Sequence, residues 1–110
     1  MKPKKDVQQG TLALMVLKTL DVLGPLHGYG IAQYIQRSSE DVLQVEEGSL
    51  YPALQRMLLK GWVTAEWGQS ENNRRARYYR LTPAGEKQLG VEISEFDKVI
   101  RAITRVIQPA

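Results

Sequence analysis

The chain has no cysteine and a single histidine, His27, in 110 residues. Without cysteine there is neither a disulfide framework nor a thiolate metal site. One histidine alone assembles neither a catalytic triad nor a zinc centre. His27 sits in a glycine-rich helix start, where capping is its default role. No stretch approaches the run of about 20 apolar residues that spans a membrane. The opening "MKPKKDVQQG" is basic but lacks the apolar region and small-residue cleavage site of a signal peptide. The glycines at 24, 28 and 30 follow a helix rather than a strand, so they form no phosphate-binding fingerprint. Glu46 and Glu47 are sequence neighbours with the pattern of solvated acids. These absences predict a cytoplasmic protein that is not an enzyme, with no catalytic residues, no cofactor, no metal and no membrane partner.

What is present is a small globular composition with its positive charge concentrated. A length of 110 residues suits one structural domain. The net charge is only +3, so placement matters more than size. Residues 69 to 80 contain Arg74, Arg75, Arg77 and Arg80 against Glu71 alone, and the N-terminal segment adds Lys2, Lys4 and Lys5. Residues 40 to 47 are acidic, and the C-terminal segment is balanced. A cationic tip and tail can face phosphate, although a solvated turn has the same composition.

Periodicity divides the chain into a mainly α protein with one β-hairpin, of α+β class. "TLALMVLKTLDVLG" (11 to 24) reads as a helix with Leu12, Met15, Val16, Leu20 and Leu23 on one stripe. Leu14 and Leu17 widen that stripe beyond a single contact, which predicts burial on two sides. "LHGYGIAQYIQRSS" (26 to 39) reads as a second helix, with Ile31, Tyr34 and Ile35 inward. "VLQV" (42 to 45) suits a brief strand. A third helix covers 48 to 59, with Leu50, Leu54, Met57 and Leu58 inward, Gly61 as its stop and Pro52 in its first turn. "WVTAEW" and "ARYYRL" alternate as strands. Alternation puts Arg77, Tyr79 and Leu81 on one face and Tyr78 and Arg80 on the other, with Tyr79 in the core. Thr82 and Pro83 then open a last helix as N-cap and first residue.

In that last helix Leu89, Ile93, Phe96, Ile100, Ile103 and Ile107 recur at spacings of 4, 3, 4, 3 and 4. A mean spacing of 3.5 is the repeat of a supercoiled seam. A helix of about 26 residues is about 39 Å long, too long for so small a domain to cover. The simplest partner for the remainder is a second copy. The order of elements is that of a winged helix-turn-helix, with residues 1 to 82 as the DNA-binding unit and 83 to 110 as a dimerisation helix.

On the helix from 48 to 59 the outward positions are Ser49, Pro52, Gln55 and Arg56, with Tyr51 on the flank. Ser and Gln hydrogen-bond base edges, Arg forks onto guanine, and Tyr reaches a phosphate or a thymine methyl. The same residues are also what the polar side of any amphipathic helix presents. The hairpin connection shifts the balance. A hairpin stabilising only itself favours a two-residue turn, whereas "GQSENNRR" is far longer. Its Asn73, Arg74 and Arg75 suit a minor groove or a phosphate clamp. Lys5 and Lys60 are further candidates for backbone phosphates, with a solubilising tail and a helix C-terminal charge as their respective alternatives.

The segments "LHGYGIAQYI", "GSLYPALQRMLLKGWVTAEW" and "RYYRLTPAGEKQL" resemble the PadR family of bacterial transcriptional regulators. The resemblance covers about half the chain, and its G-x-LYPAL-x-R and YYRLT-x-x-G elements are specific. It implies a repressor that binds a palindromic, inverted-repeat operator in double-stranded DNA as a homodimer. By position it implicates Ser49, Tyr51 and Pro52 together with the wing tip from Asn73 to Arg75. The single C-terminal helix is similar to the family's compact branch, in which the first helix joins the dimer through residues such as Leu14 and Leu17. The family also implies a small aromatic effector, for which Trp62 and Trp67 are candidates to line a pocket at the dimer interface; a core role is the reading their residue type favours. The alternative reading is a dimeric interaction or ligand-binding module whose wing meets an acidic protein.

Overall fold

A computed structural model describes residues 5, 6 and 9 to 109. The elements run β1 (Lys5–Asp6), α1 (Gln9–Leu23), β2 (Leu26–His27), α2 (Gly28–Ser38), β3 (Leu43–Gln44), α3 (Glu47–Leu59), β4 (Val63–Gln69), β5 (Arg75–Leu81) and α4 (Pro83–Ile107). This is the expected winged helix-turn-helix with a long last helix. The core joins Leu12, Val16, Leu17 and Leu20 of α1 to Ile31 and Ile35 of α2. Leu50, Ala53, Leu54 and Met57 of α3, Val63, Tyr79 and Leu89 complete it. Thr19, buried among them, hands its hydroxyl proton to the Met15 carbonyl at 2.7 Å. That local bond removes the cost of a polar group in the core.

Several expectations need correction. Leu26 and His27 do not begin α2. They form a third strand, in which Leu26 faces Tyr79 and His27 faces Tyr78 across β5. His27 ends that strand and caps α2, its Nδ1 accepting the Gly30 N–H at 2.9 Å. Lys5, expected in a tail, pairs through its backbone with Leu43 in a two-stranded parallel ladder. Helix α3 begins at Glu47, so Pro52 is its sixth residue and lies beyond the first turn. Pro52 therefore leaves the Gly48 carbonyl without the usual i+4 N–H. Leu23 is half-exposed rather than part of the buried stripe.

The hairpin connection is shorter than its composition suggests. Gln69 and Arg75 already face each other as strand residues. Only Ser70 to Arg74 turn, closed by Ser70 N–H to the Arg74 carbonyl at 2.8 Å and Asn73 N–H to the Ser70 carbonyl at 2.9 Å. Asn73 sits at φ 60, a left-handed conformation that asparagine tolerates better than most residues. The length of the connection thus gives no support to a DNA role. Its chemistry has to do so.

Helix α4 leaves the domain from a fixed joint. The Thr82 hydroxyl accepts the Gly85 N–H at 3.0 Å and donates to the Gly61 carbonyl at 2.6 Å. The Thr82 backbone N–H donates to the Trp62 carbonyl at 3.0 Å. Gly85 packs so closely on that same carbonyl that an added methyl group would collide with it and with Leu81. Gly85→Ala should consequently shift the root of α4 and cost at least about 1–3 kcal/mol, the range for overpacking a filled site. Urea unfolding midpoints measure this; an unchanged midpoint would show that the joint yields freely.

Candidate nucleic-acid interface

The surface around α3 is organised by its two flanks. Tyr51, Pro52, Gln55 and Arg56 are exposed, and Ser49 is half-buried. Tyr51 lies on the flank facing α2. There its ring and hydroxyl lie over Gly28, so close that a methyl group at Gly28 would stand 3.0 Å from them. Burial on that side raises the Tyr51 pKa above its usual value, with the Glu47 carboxylate and Tyr79 adding to it. The phenol therefore stays protonated and can donate a hydrogen bond.

Between α2 and the start of α3 runs a groove of about 540 Å³, bordered by Tyr29, Gln33, Arg37, Gln44 and Tyr51. The sequence reading missed the α2 side of this groove. The signal was there: Tyr29, Gln33 and Arg37 recur every fourth residue, and Gln33 Nε2 donates to the Tyr29 hydroxyl at 3.1 Å. Arg56 and Lys60 occupy the other flank. They border a second groove of about 310 Å³ with Gly10, Ala13, Trp62 and Glu92. The Lys60 Nζ rests 4.7 Å from the centre of the Trp62 ring. The structure thus separates Arg56 and Lys60 from Tyr51, although the sequence grouped them on one helix.

Asn73, Arg74 and Arg75 are all exposed on the wing. The wing overhangs the core, and burial along one face records the change. Val63 and Tyr79 are buried and Leu81 half-buried, whereas Trp67, Arg77 and Arg75 further out are exposed. Tyr79 is in the core and Arg80 exposed, as alternation predicted. Trp67, expected in the core or in a pocket, is instead 59% exposed on the outer part of β4. Lys2 and Lys4 lie outside the described residues, as does the side chain of Lys5.

The proposed dimer residues divide in two. Ile93, Phe96, Ile100, Ile103 and Ile107 are each more than 40% exposed along α4. Leu17 and Leu89 are not available to a second chain. They are 0% and 6% exposed because α1 and α4 pack both into the core of their own chain. Leu14 is half-buried.

The profile of the transcriptional regulator PadR-like family matches residues 16–91. The chain belongs to the PadR family. Its fold is similar to that of a transcriptional regulator from Clostridium thermocellum, with a TM-score of 0.82 and 25% identity over 91% of this chain and 96% of that one. A PadR family transcription regulator from Clostridium difficile matches with a TM-score of 0.73 and 25% identity, covering 88% and 98% of the two chains. An uncharacterized protein of Lysinibacillus sphaericus is 27% identical over 96 residues, 87% of each chain. As a member of this family the protein is a DNA-binding transcriptional regulator rather than an enzyme. Among the described residues no helix is long and apolar enough to cross a membrane.

The seat of Tyr51 on Gly28 is directly testable. Gly28→Ala should displace the exposed Tyr51 ring by a few tenths of an ångström and cost up to about 1 kcal/mol, the low end of the overpacking range. In a Tyr51→Ala background the same change should be close to neutral. Equal losses in both backgrounds, measured by urea unfolding, would mean that Tyr51 is not what the methyl group meets.

Proposed function

We propose that the protein represses transcription as a homodimer, with two copies of α3 and the wing reading the halves of an inverted-repeat operator. The observation that carries the dimer is the seam on α4, whose five large apolar side chains are exposed along a 3.5-residue repeat. An exposed apolar stripe of this regularity calls for a partner with the same pattern. A second copy supplies it, and a two-fold axis through the seam matches a palindromic site. Half-sites then lie about 34–36 Å apart, one turn of B-form DNA.

In this reading Tyr51, Pro52 and Gln55 face base edges, with Ser49 beside them. Asn73, Arg74 and Arg75 take phosphates or the minor groove, and Arg56 and Lys60 border the site on the opposite flank of α3. Release by a small aromatic effector belongs to the same proposal. The groove beside Trp62 offers such a molecule a ring face and the Lys60 charge, next to Glu92 on α4.

Replacing Arg74 and Arg75 together with alanine should weaken binding to every duplex. It should also flatten the dependence of log affinity on log salt by about 0.9 for each lost phosphate contact. Gln55→Ala should instead relax preference at particular base pairs. An arginine double variant that binds unchanged across a salt series would remove the wing from the interface. For the seam, Ile100→Asp combined with Ile103→Asp should yield monomers by light scattering. Persistence of a dimer would exclude α4 as the axis.

A further inference from the structure

Beyond the surfaces already assigned, the contact that carries furthest lies on the wing. The exposed ring of Trp67 holds the guanidinium of Arg75, whose central carbon is 4.7 Å from the ring centroid. Register explains why the two meet. Trp67 faces Arg77 across the hairpin and Gln69 faces Arg75. Arg75 is therefore the diagonal neighbour of Trp67 on the same face, within reach of long side chains. Arg77 in turn lies 5.9 Å from the Tyr79 ring. From core to tip this face presents Tyr79, Arg77, Trp67 and Arg75, ring and cation in alternation.

How these cations are held decides what they can do. The ion pairs among the described residues are Lys18–Asp21, Lys98–Glu95 and Arg101–Asp97, all on α1 and α4. A carboxylate would fix an arginine and cancel its charge. An aromatic face fixes it and leaves both the charge and the in-plane N–H groups free for an anion. A guanidinium already stacked also loses less side-chain freedom when it meets a phosphate.

We propose that Trp67 is the positioning residue of the wing, holding Arg75 oriented and uncompensated so that it meets a DNA phosphate without first being ordered. This rests on the reading of the wing as a DNA contact. The test uses a mixed-sequence duplex at low salt, because phosphate contacts do not depend on sequence. Trp67→Leu keeps apolar bulk without a π face, and Trp67→Phe keeps a ring. The leucine variant should bind about twofold to fivefold more weakly, the scale of an exposed cation–π contact. The phenylalanine variant should stay closer to the parent. In an Arg75→Ala background, Trp67→Leu should have no further effect.

Two results would overturn the proposal alone: Trp67→Leu costing the same with and without Arg75, which marks mere support of the hairpin, or costing nothing while Arg75→Ala weakens binding. If Arg75→Ala itself leaves binding unchanged in a folded protein, Arg75 is no DNA contact and the proposal falls; the Arg74 and Arg75 double variant then decides whether the wing reading falls with it. The two failures are thereby told apart.

Discussion

One threonine side chain sets the geometry on which everything distal depends. The Thr82 hydroxyl accepts from the Gly85 N–H and donates to the Gly61 carbonyl, while its backbone N–H bonds Trp62. The end of α3, the start of β4 and the first turn of α4 are thereby fastened at a single point. Gly61, at φ 75, lets the chain reverse there without the strain a side chain would bring. Helix α4 acts as a lever from this joint. Its 25 residues span about 38 Å, so an error of about 10° at the root would displace the far end by about 7 Å. In the proposed homodimer such an error would misplace the second copy, so the close packing of Gly85 on the Trp62 carbonyl bears on that proposal as well as on stability.

The wing and α4 follow the same plan with opposite chemistry. Each begins in the core and outruns it: Val63 and Tyr79 are buried while Trp67 is exposed, and Leu89 is buried while Ile93 to Ile107 are not. A 110-residue domain has core enough for only the roots of these elements. What projects must therefore be soluble or partnered. The wing projects cations, suited to a polyanion, and α4 projects branched aliphatics, suited to a copy of itself. The overhang thus supplies both of the surfaces that the proposed dimeric regulator would use.

Much of this was legible because it lies in short-range pattern. Thr82-Pro83 marks the start of α4, the 3.5-residue repeat marks an apolar stripe that the chain leaves exposed, and period-two alternation puts Tyr79 inward. What escaped notice depends on contacts distant in sequence. Leu26 and His27 look like a helix start, and only pairing with Tyr78 and Tyr79 makes them a strand. Leu17 seemed surplus on a helical wheel, but α1 is surrounded by α2, α3 and α4, so both of its apolar sides are used inside one chain. The hairpin connection was overestimated because glycine, glutamine and arginine at its ends carry turn-like composition while still pairing as strands. Trp67 has the residue type of a core or pocket position, but its place on the outer part of β4 leaves it exposed.

The same distance argument bears on how the wing keeps its charge. Close to the core, an arginine is ordered by packing, and its desolvation must be offset by a counter-charge. At the tip, full hydration costs nothing but leaves the side chain disordered. Arg75 and Arg77 lie between these limits, on rings that are themselves anchored by the hairpin. An aromatic platform is the solution suited to that intermediate depth: it restricts the guanidinium without neutralising it. Arg74, one residue further into the turn, is exposed and lies outside the paired strand register. The two adjacent arginines therefore differ in setting, Arg75 stacked on a ring and Arg74 in the turn, despite their identical side chains.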